Sequence, residues 1–302
     1  MQLEDLVKEF LFDCEIRNLT KETIQNYKRQ LLLFLRFLSE GHGVTTLDDF
    51  KTSHIKLFVA MLKQKRYKES YINNLLKAIK RFCSYLFDEG YTEIIISEKV
   101  KNVKEPRVLI HTFSDDEIDR MIRYYDGDTY LDVRNRLILM ILFDTGIRAS
   151  ELMDMRPEQV REDFFQIYGK GRKERVVTKS PHVSKQLVKY NVAKTLFFQY
   201  SYAEDYLFLS KNGKKLSEGA LIKLMVKAAK HTGVNPMVRI SPHTCRHTFA
   251  HSMLKNGLDL YSLSRLLGHE SVSITQVYLN SIKDAQVLQS ARKTGVLAHL
   301  YK

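Results

Sequence analysis

Residues 239–280 read RISPHTCRHTFAHSMLKNGLDLYSLSRLLGHESVSITQVYLN, and the prediction of the fold is based on this segment. It contains four side chains suited to phosphate chemistry: His243, Arg246, His269 and Tyr278. A guanidinium group can hold a phosphate, an imidazole can transfer protons, and a phenol can act as a nucleophile. The combination predicts an attack on a phosphodiester, if the fold brings the four side chains together.

The first half of the stretch predicts a helix over residues 242–255. Ser241 is a good N-cap, and a proline suits the first helical position because its missing N–H would be unpaired there. Asn256-Gly257 is typical of a left-handed stop. His243 then lies in the first turn, and Arg246 shares its face one turn later. Because helix N-termini carry unpaired N–H groups and partial positive charge, an anion is favoured there.

The second half predicts two further short helices. One is capped by Asp259, runs over residues 260–267 and is stopped by Gly268, with His269 directly after the glycine. Ser271 then caps a third helix that carries Tyr278. These turns allow the histidine, arginine and tyrosine side chains to converge.

Length and charge set the broad class of the protein. The chain has 302 residues, enough for two domains with a core each. Its formal net charge is +13, of which residues 1–105 contribute +3 and the remainder +10. Such an excess favours a polyanionic partner, most commonly nucleic acid, and the stronger attraction belongs to the second part of the chain.

Several other classes are disfavoured. The three cysteines, Cys14, Cys83 and Cys245, are too few and too scattered for a disulfide framework or a zinc site, so we expect buried free thiols. No apolar run reaches the roughly 18 residues of a membrane span, and the N-terminus has no signal-peptide pattern. We expect a soluble, cytoplasmic protein.

Residues 1–100 predict a domain of four helices. Apolar side chains recur at helical spacing over four segments: Leu3 to Cys14, Thr20 to Gly41 and Gly43, Ser53 to Lys65, and Lys68 to Glu89. The polar faces carry seven basic residues: Lys63, Lys65, Arg66, Lys68, Lys77, Lys80 and Arg81. The pattern leaves two interpretations open, an ordinary solvated surface or a DNA-binding one.

A linker and a second domain follow. Residues 101–113 are basic, contain a proline and lack periodicity, which favours an extended segment. Ser114-Asp115-Asp116-Glu117 is a capping box and predicts the first helix of the next domain.

Arg148 follows a strongly apolar, buried helix over residues 131–143 that is stopped by Gly146. Glu151 lies three residues beyond it. The local pattern fits two interpretations: a rigidly held phosphate-binding arginine, or a structural ion pair with Glu151.

Lys170 lies between two predicted strands, residues 164–168 and 174–178. The connecting sequence, Gly169 to Lys173, predicts a tight hairpin with an exposed ammonium at its tip. Such a lysine can enter a DNA groove and protonate a leaving oxygen, but an ordinary solvated turn explains the same pattern.

A metal or nucleotide cofactor is not expected. His243, His247 and His251 fall at i, i+4 and i+8, a spacing that zinc can use, but the Glu of an H-E-x-x-H motif is missing and Arg246 lies among them. There is no P-loop and no carboxylate cluster typical of a two-metal nuclease.

Together, these pieces resemble the tyrosine recombinase (phage integrase) family, and its Xer-like members most closely. The resemblance spans nearly the whole chain and depends on four motifs in the family's order. They are DTGIRASEL around Arg148, YGKGRKERVV around Lys170, PHTCRHTFA around His243 and Arg246, and LGHESVSITQVYLN around His269 and Tyr278.

The resemblance implies a mainly α fold with a small β-sheet, of the α+β class. It implies a helical, SAM-like core-binding domain at residues 1–100, a linker at 101–113, and a mixed α/β catalytic domain with a C-terminal tail at 114–302. The two domains would form a C-shaped clamp around DNA. Because the chain starts directly with the core-binding domain, an additional arm-type DNA-binding domain is not expected.

The resemblance also implies a role for each motif residue. Tyr278 would attack the scissile phosphate and form a 3′-phosphotyrosine with a free 5′-hydroxyl. Arg148 and Arg246 would hold the non-bridging oxygens, and Lys170 would be the general acid. His243 would assist proton transfer from the phenol, and His269 would hydrogen-bond the phosphate. The reaction would need neither ATP nor a metal.

The implied function is site-specific recombination of double-stranded DNA, for integration, excision or resolution. The enzyme would act as a homo-tetramer, or with a related recombinase as a hetero-tetramer. One alternative is a relaxing enzyme resembling type IB topoisomerases, and another is a catalytically idle DNA-binding regulator. Residues 281–302 predict an amphipathic tail that packs on its own domain or on a neighbour.

Overall fold

The computed structural model describes residues 1–106, 110–168, 174–269 and 271–275. The chain divides into two compact units, with the boundary between residues 108 and 109. Lys170, Tyr278 and the predicted tail lie outside the described residues.

The first unit contains the four predicted helices. They are α1 Leu3–Ile16, α2 Lys21–His42, α3 Thr52–Gln64 and α4 Glu69–Asp88. One phenylalanine from each helix, Phe10, Phe34, Phe58 and Phe82, is at most 1% exposed. Their rings pack in tilted and edge-on arrangements that join the helices into one core.

The end of α2 differs from the prediction. Gly41 lies inside the helix, and only Gly43 ends it, with φ +66° in the left-handed region. A glycine is tolerated inside a helix at about 1 kcal/mol, whereas the residue after a helix favours glycine for its positive φ. The start of α2 is as predicted, since the Thr20 hydroxyl accepts a hydrogen bond from the Thr23 N–H at 3.3 Å.

The second unit contains eight helices and one hairpin among its described residues. In chain order these are α5 Asp115–Arg123, α6 Tyr130–Thr145, α7 Ala149–Asp154, β1 Phe164–Tyr168, β2 Glu174–Thr178, α8 Pro181–Phe197, α9 Glu218–Thr232, α10 Pro242–Lys255, α11 Leu260–Leu267 and α12 Val272–Thr275. The mainly α fold with a small sheet is therefore confirmed. The predicted capping box at the start of α5 is also present, with Ser114 and Glu117 bonded reciprocally.

Helix α6 is the centre of the second unit. Leu137, Ile138, Leu139, Ile141 and Leu142 are all fully buried. Because these five residues lie around more than half of the circumference of the helix, this part of α6 must be covered by its neighbours, and α8 and α10 pack against the helix. This arrangement places the end of α6 beside α10.

The predicted strands have the predicted bounds. They pair antiparallel from Phe164 opposite Thr178 to Tyr168 opposite Glu174. Phe165, Ile167 and Val177 are buried, so one face of the hairpin lies on the core. The five residues between the strands, including Lys170, are not described.

The three cysteines are buried free thiols, as predicted. Among the described residues, no helix is long and apolar enough to cross a membrane.

Gly146 ends α6 in the left-handed conformation, with φ +60°. A Cβ on it would lie 2.4 Å from Cδ1 of Phe249 on α10. We therefore expect Gly146→Ala to destabilise the second unit by about 1–3 kcal/mol, through backbone strain and steric overlap. Urea unfolding of the full chain, followed by circular dichroism, measures this.

Gly219→Ala is the matched control. This glycine lies in α9, its φ is not positive, and a Cβ would meet no atom within 4 Å. The control should unfold at the same or a higher urea concentration than the parent. Equal stability of the two variants would contradict the packing described for Gly146.

Candidate active site

Three successive backbone carbonyl groups at the end of α11 each accept a hydrogen bond from an arginine. The donor–acceptor distances are 2.9 Å from Arg175 Nε to Leu266 O, 2.6 Å from Arg246 Nη2 to Leu267 O, and 3.0 Å from Arg148 Nη2 to Gly268 O. The C-terminal end of a helix carries partial negative charge, which stabilises cations. The end of α11 therefore collects three guanidinium groups from β2, α10 and the start of α7.

Gly268 allows this close approach. It has φ +63° and ends α11 as predicted. A Cβ there would lie 2.9 Å from Cδ of Arg175 and 3.2 Å from its Nε. The glycine thus provides both the left-handed stop and the space for the Arg175 side chain.

Arg148 lies at the N-cap position of α7 and bonds Glu151 twice. Its backbone N–H donates to Oε2 at 2.9 Å, and Nη1 donates to Oε1 at 2.8 Å. The structural ion pair considered from the sequence is therefore present. The side chain of Arg148 nevertheless stays 40% exposed while that of Glu151 is 7% exposed, so the guanidinium is rigidly held yet accessible.

Glu151 is the carboxylate shared by two arginines. Arg175 binds it with both terminal nitrogens, each at 2.7 Å, in addition to the bonds from Arg148. Burial alone would raise the pKa of the Glu151 carboxyl, but the hydrogen bonds and charges of the two arginines outweigh burial and hold the pKa below its usual value. The carboxylate is therefore ionised and fixes both guanidinium groups.

Arg246 is 3% exposed and is held by backbone groups. Its Nη1 donates to Gly146 O at 2.9 Å, in addition to the bond between Nη2 and Leu267 O. Both carbonyls are neutral acceptors at glycine-stopped helix ends. These two hydrogen bonds orient the guanidinium.

His269 follows Gly268 and contacts Arg246 directly. Its Nε2 lies 2.9 Å from Arg246 Nη2, and its Nδ1 lies 2.8 Å from the Thr275 hydroxyl. A guanidinium only donates, so we assign Nε2 as the acceptor and Nδ1–H as the donor. Burial lowers the pKa of His269 to about 4, and the charges of Arg246, Arg148 and Arg175 act in the same direction. The ring is neutral at physiological pH.

His243 lies in the first turn of α10 and is exposed. Desolvation by the surrounding protein lowers its pKa, and the charges of Arg246, Arg239 and Arg148 lower it further. A neutral, accessible imidazole can accept a proton.

The fold thus brings together four of the six predicted site residues: Arg148, His243, Arg246 and His269. Lys170 and Tyr278 lie outside the described residues, and their predicted roles stay predictions. The predicted bounds of α10 and α11 and the N-caps Ser241 and Asp259 are confirmed.

Sequence reasoning missed Arg175. A signal for it exists in the alternation of β2, where Arg175 shares a face with Val177, which is 2% exposed. An arginine at an inward position needs a partner.

The histidine triplet does not form a metal-binding group. The rings of His243 and His247 have centroids 5.4 Å apart. Within the described ranges, no three His, Cys, Asp or Glu side chains are placed to hold a metal ion.

The first unit carries a polar groove of about 800 Å³ beside α4. Its lining includes Tyr27, Asn74, Lys77, Lys80 and Arg81. One wall is the start of the linker, which Asn73 holds through both backbone groups of Val103, at 2.8 and 2.9 Å. Three of the seven predicted basic residues therefore border one groove.

Comparison with known proteins decides the family. The profile of the phage integrase family matches residues 111–284, and the profile of the phage integrase N-terminal SAM-like domain matches residues 7–90. The chain belongs to the phage integrase family.

Curated relatives are tyrosine recombinases. Tyrosine recombinase XerD of Oceanobacillus iheyensis is 32% identical over 285 residues, which cover 93% of this chain and 95% of the relative. Tyrosine recombinase XerA of Pyrococcus horikoshii is 33% identical over 287 residues, which cover 91% and 88%. The chain is therefore a tyrosine site-specific recombinase, an enzyme that cleaves and rejoins DNA, and these relatives favour this function over the topoisomerase alternative.

Solved structures share the fold of the recombinase. The XerH site-specific recombinase bound to its palindromic difH substrate has a TM-score of 0.75 at 22% identity, covering 92% of this chain and 81% of that one. A lambda integrase tetramer bound to a Holliday junction has a TM-score of 0.71 at 15% identity, covering 92% and 77%.

The neutral histidines predict a pH dependence of stability. Burial lowers the pKa of both His247 and His269 to about 4, and the pKa of His243 is also lowered. In the unfolded chain these groups titrate near 6.5. As the pH falls from about 6.5 to about 4, the unfolded state binds protons that the folded state does not. The free energy of unfolding should therefore decrease as the pH is lowered over this window.

Urea unfolding at about pH 7.5 and at about pH 5.5 measures this effect. The recombinase should lose stability at the lower pH, and His247→Gln should lose less than the parent. His182→Gln, at an exposed position on α8, should match the parent. An unchanged pH slope in His247→Gln would contradict the assignment of a neutral ring.

Proposed function

We propose that the recombinase exchanges strands between two paired double-stranded DNA sites through a 3′-phosphotyrosine intermediate on Tyr278. The observation that carries the proposal is the convergence of the guanidinium groups of Arg148 and Arg246 on the end of α11, beside His243 and His269. A phosphodiester in that position meets two oriented cations and two neutral imidazoles.

The two arginines would stabilise the transition state. Attack by the phenol oxygen creates a pentacoordinate phosphorus with added negative charge on its non-bridging oxygens. Hydrogen-bond donors that are oriented before the reaction need no reorganisation, and one such donor is worth about 10²–10³ in rate. This orientation comes from four acceptors: the carbonyls of Gly146, Leu267 and Gly268 and the carboxylate of Glu151.

His243 and Lys170 would move the two protons. The phenol has a reference pKa of about 10, so a base assists its ionisation at neutral pH. His243 is exposed and neutral, which suits a proton acceptor beside the phosphate. As the new P–O bond to Tyr278 forms, the bond to the 5′-oxygen breaks, and Lys170 would donate the proton that this leaving oxygen takes up.

His269 would contact the phosphate. Without DNA its Nε2 accepts from Arg246, so contact with a phosphate oxygen requires a proton on Nε2. A nearby anion favours the charged imidazolium and raises the pKa of the ring. Phosphate binding would therefore favour the protonated Nε2 that donates a hydrogen bond to the phosphate.

The assembly would be a homo-tetramer, or a hetero-tetramer with a related recombinase, in the cytoplasm. The lambda integrase tetramer on a Holliday junction supports this proposal, because its catalytic fold is shared. The polar groove beside α4 would lie against the DNA backbone, because Lys77, Lys80 and Arg81 border it.

A nicked suicide substrate tests the chemistry, since loss of the short cleaved strand traps the covalent complex. The parent should accumulate covalent protein–DNA complex, and Tyr278→Phe should accumulate none while binding DNA with similar affinity. The covalent complex is measured on denaturing gels and binding by mobility shift.

Tyr261→Phe is the matched control, because this tyrosine is 62% exposed on α11 and has no proposed role. It should trap DNA like the parent. Trapping by Tyr278→Phe would refute the nucleophile. If the parent bound DNA but formed no covalent protein–DNA complex, a catalytically idle DNA-binding regulator would explain the result better.

A further inference from the structure

Arg175 has no role in the proposed chemistry, yet it is among the most constrained cations of the second unit. All three guanidinium nitrogens are engaged: Nε with Leu266 O at 2.9 Å, and Nη1 and Nη2 with the two oxygens of Glu151 at 2.7 Å each. The side chains of Arg175 and Glu151 are 11% and 7% exposed. A side chain held at three points fixes the backbone that carries it.

That backbone is the strand that follows Lys170. Arg175 pairs with Ile167 in the hairpin. Only the pair of Tyr168 and Glu174 lies between this pair and residues 169–173, which join the two strands. Tyr168 is 51% exposed and Glu174 is exposed. On β2, Arg175 is therefore the last inward anchor before the segment that contains Lys170.

The distance along the chain makes this anchor effective. Arg175 is five positions after Lys170, a span of at most about 18 Å of extended chain. Without Arg175, the next inward residue of β2 is Val177, which is two positions further from Lys170 along the chain. A general acid must lie within hydrogen-bond reach of its target, and about 1 Å of misplacement can cost about 10²-fold in rate.

The geometry points to Arg175 as a positioning residue that locks β2 to the end of α11 and so sets where Lys170 meets the leaving oxygen. The inference rests on the proposed function of Lys170 as general acid. Because Arg175 shares Glu151 with Arg148, the same contacts tie the placement of the acid to the placement of the phosphate-binding guanidinium.

Arg175→Lys isolates the anchor. It keeps the charge but cannot reproduce the planar fork to Glu151 together with the bond to Leu266. Arg161→Lys is the matched control, since it makes the same change at an exposed position three residues before β1. Hydrogen exchange of the full chain should show faster exchange of the β2 amides in Arg175→Lys and parental exchange in Arg161→Lys. Exchange of the β2 amides at the parental rate in Arg175→Lys would contradict the inference that Arg175 fixes β2, independently of the role of Lys170.

Suicide substrates with oxygen or sulfur at the scissile 5′-position test the catalytic consequence in single turnovers. A thiolate leaves without an acid, so Lys170→Ala should be slow on the oxygen substrate and close to the parent on the sulfur one. Absence of this rescue would refute Lys170 as the general acid and with it that part of the proposed function. The hydrogen-exchange result does not depend on the role of Lys170, so the two failures can be told apart.

Arg175→Lys should follow the same pattern. We expect at least a tenfold loss on the oxygen substrate and a rate within about threefold of the parent on the sulfur substrate, with Arg161→Lys parental on both. Equal losses on both substrates would overturn the inference in favour of a general packing role. Glu151→Gln is the contrasting variant, because Glu151 also holds Arg148, and it should lose rate on both substrates.

Discussion

The second unit depends on one constraint: the end of α11 must accept three arginines on three successive carbonyls. The arginines come from β2, α10 and the start of α7, elements that are distant in sequence. Each bond joins a cation to the negative end of a helix, and the shared Glu151 adds a full opposite charge for Arg148 and Arg175. The fold therefore fixes the orientation of the three guanidinium groups. Gly146 and Gly268 make the close approach possible.

Preorganisation extends to the histidines beside these cations. Burial lowers the pKa of both His243 and His269, and the charges of Arg246 and Arg148 lower it further, so both rings are neutral. A neutral His243 can take a proton, and a neutral His269 can accept a bond from Arg246 until an anion arrives. In the proposed reaction, a bound phosphate would raise the pKa of both histidines, because its negative charge opposes the effect of the guanidinium groups.

Local signals in the sequence predicted much of this arrangement. Helices α10 and α11 have the predicted bounds because caps and left-handed stops are decided within a few residues, as Ser241 and Gly268 illustrate. Helix α8 was not delineated, since apolar Val188, Val192 and Leu196 are 66%, 56% and 66% exposed and blur its periodicity. The joining of Glu151 to Arg175 could not be predicted, because it depends on packing between a hairpin and a helix 24 residues apart.

The proposed role of Arg148, which is to offset negative charge on the scissile phosphate, is tested most directly by removing that charge. A methylphosphonate at the scissile position replaces a non-bridging oxygen with a neutral methyl group. The rate of covalent complex formation should fall at least a hundredfold for Arg148→Ala on the phosphodiester and recover to within about tenfold of the parent on the methylphosphonate. An equal deficit of Arg148→Ala on both substrates would contradict the account.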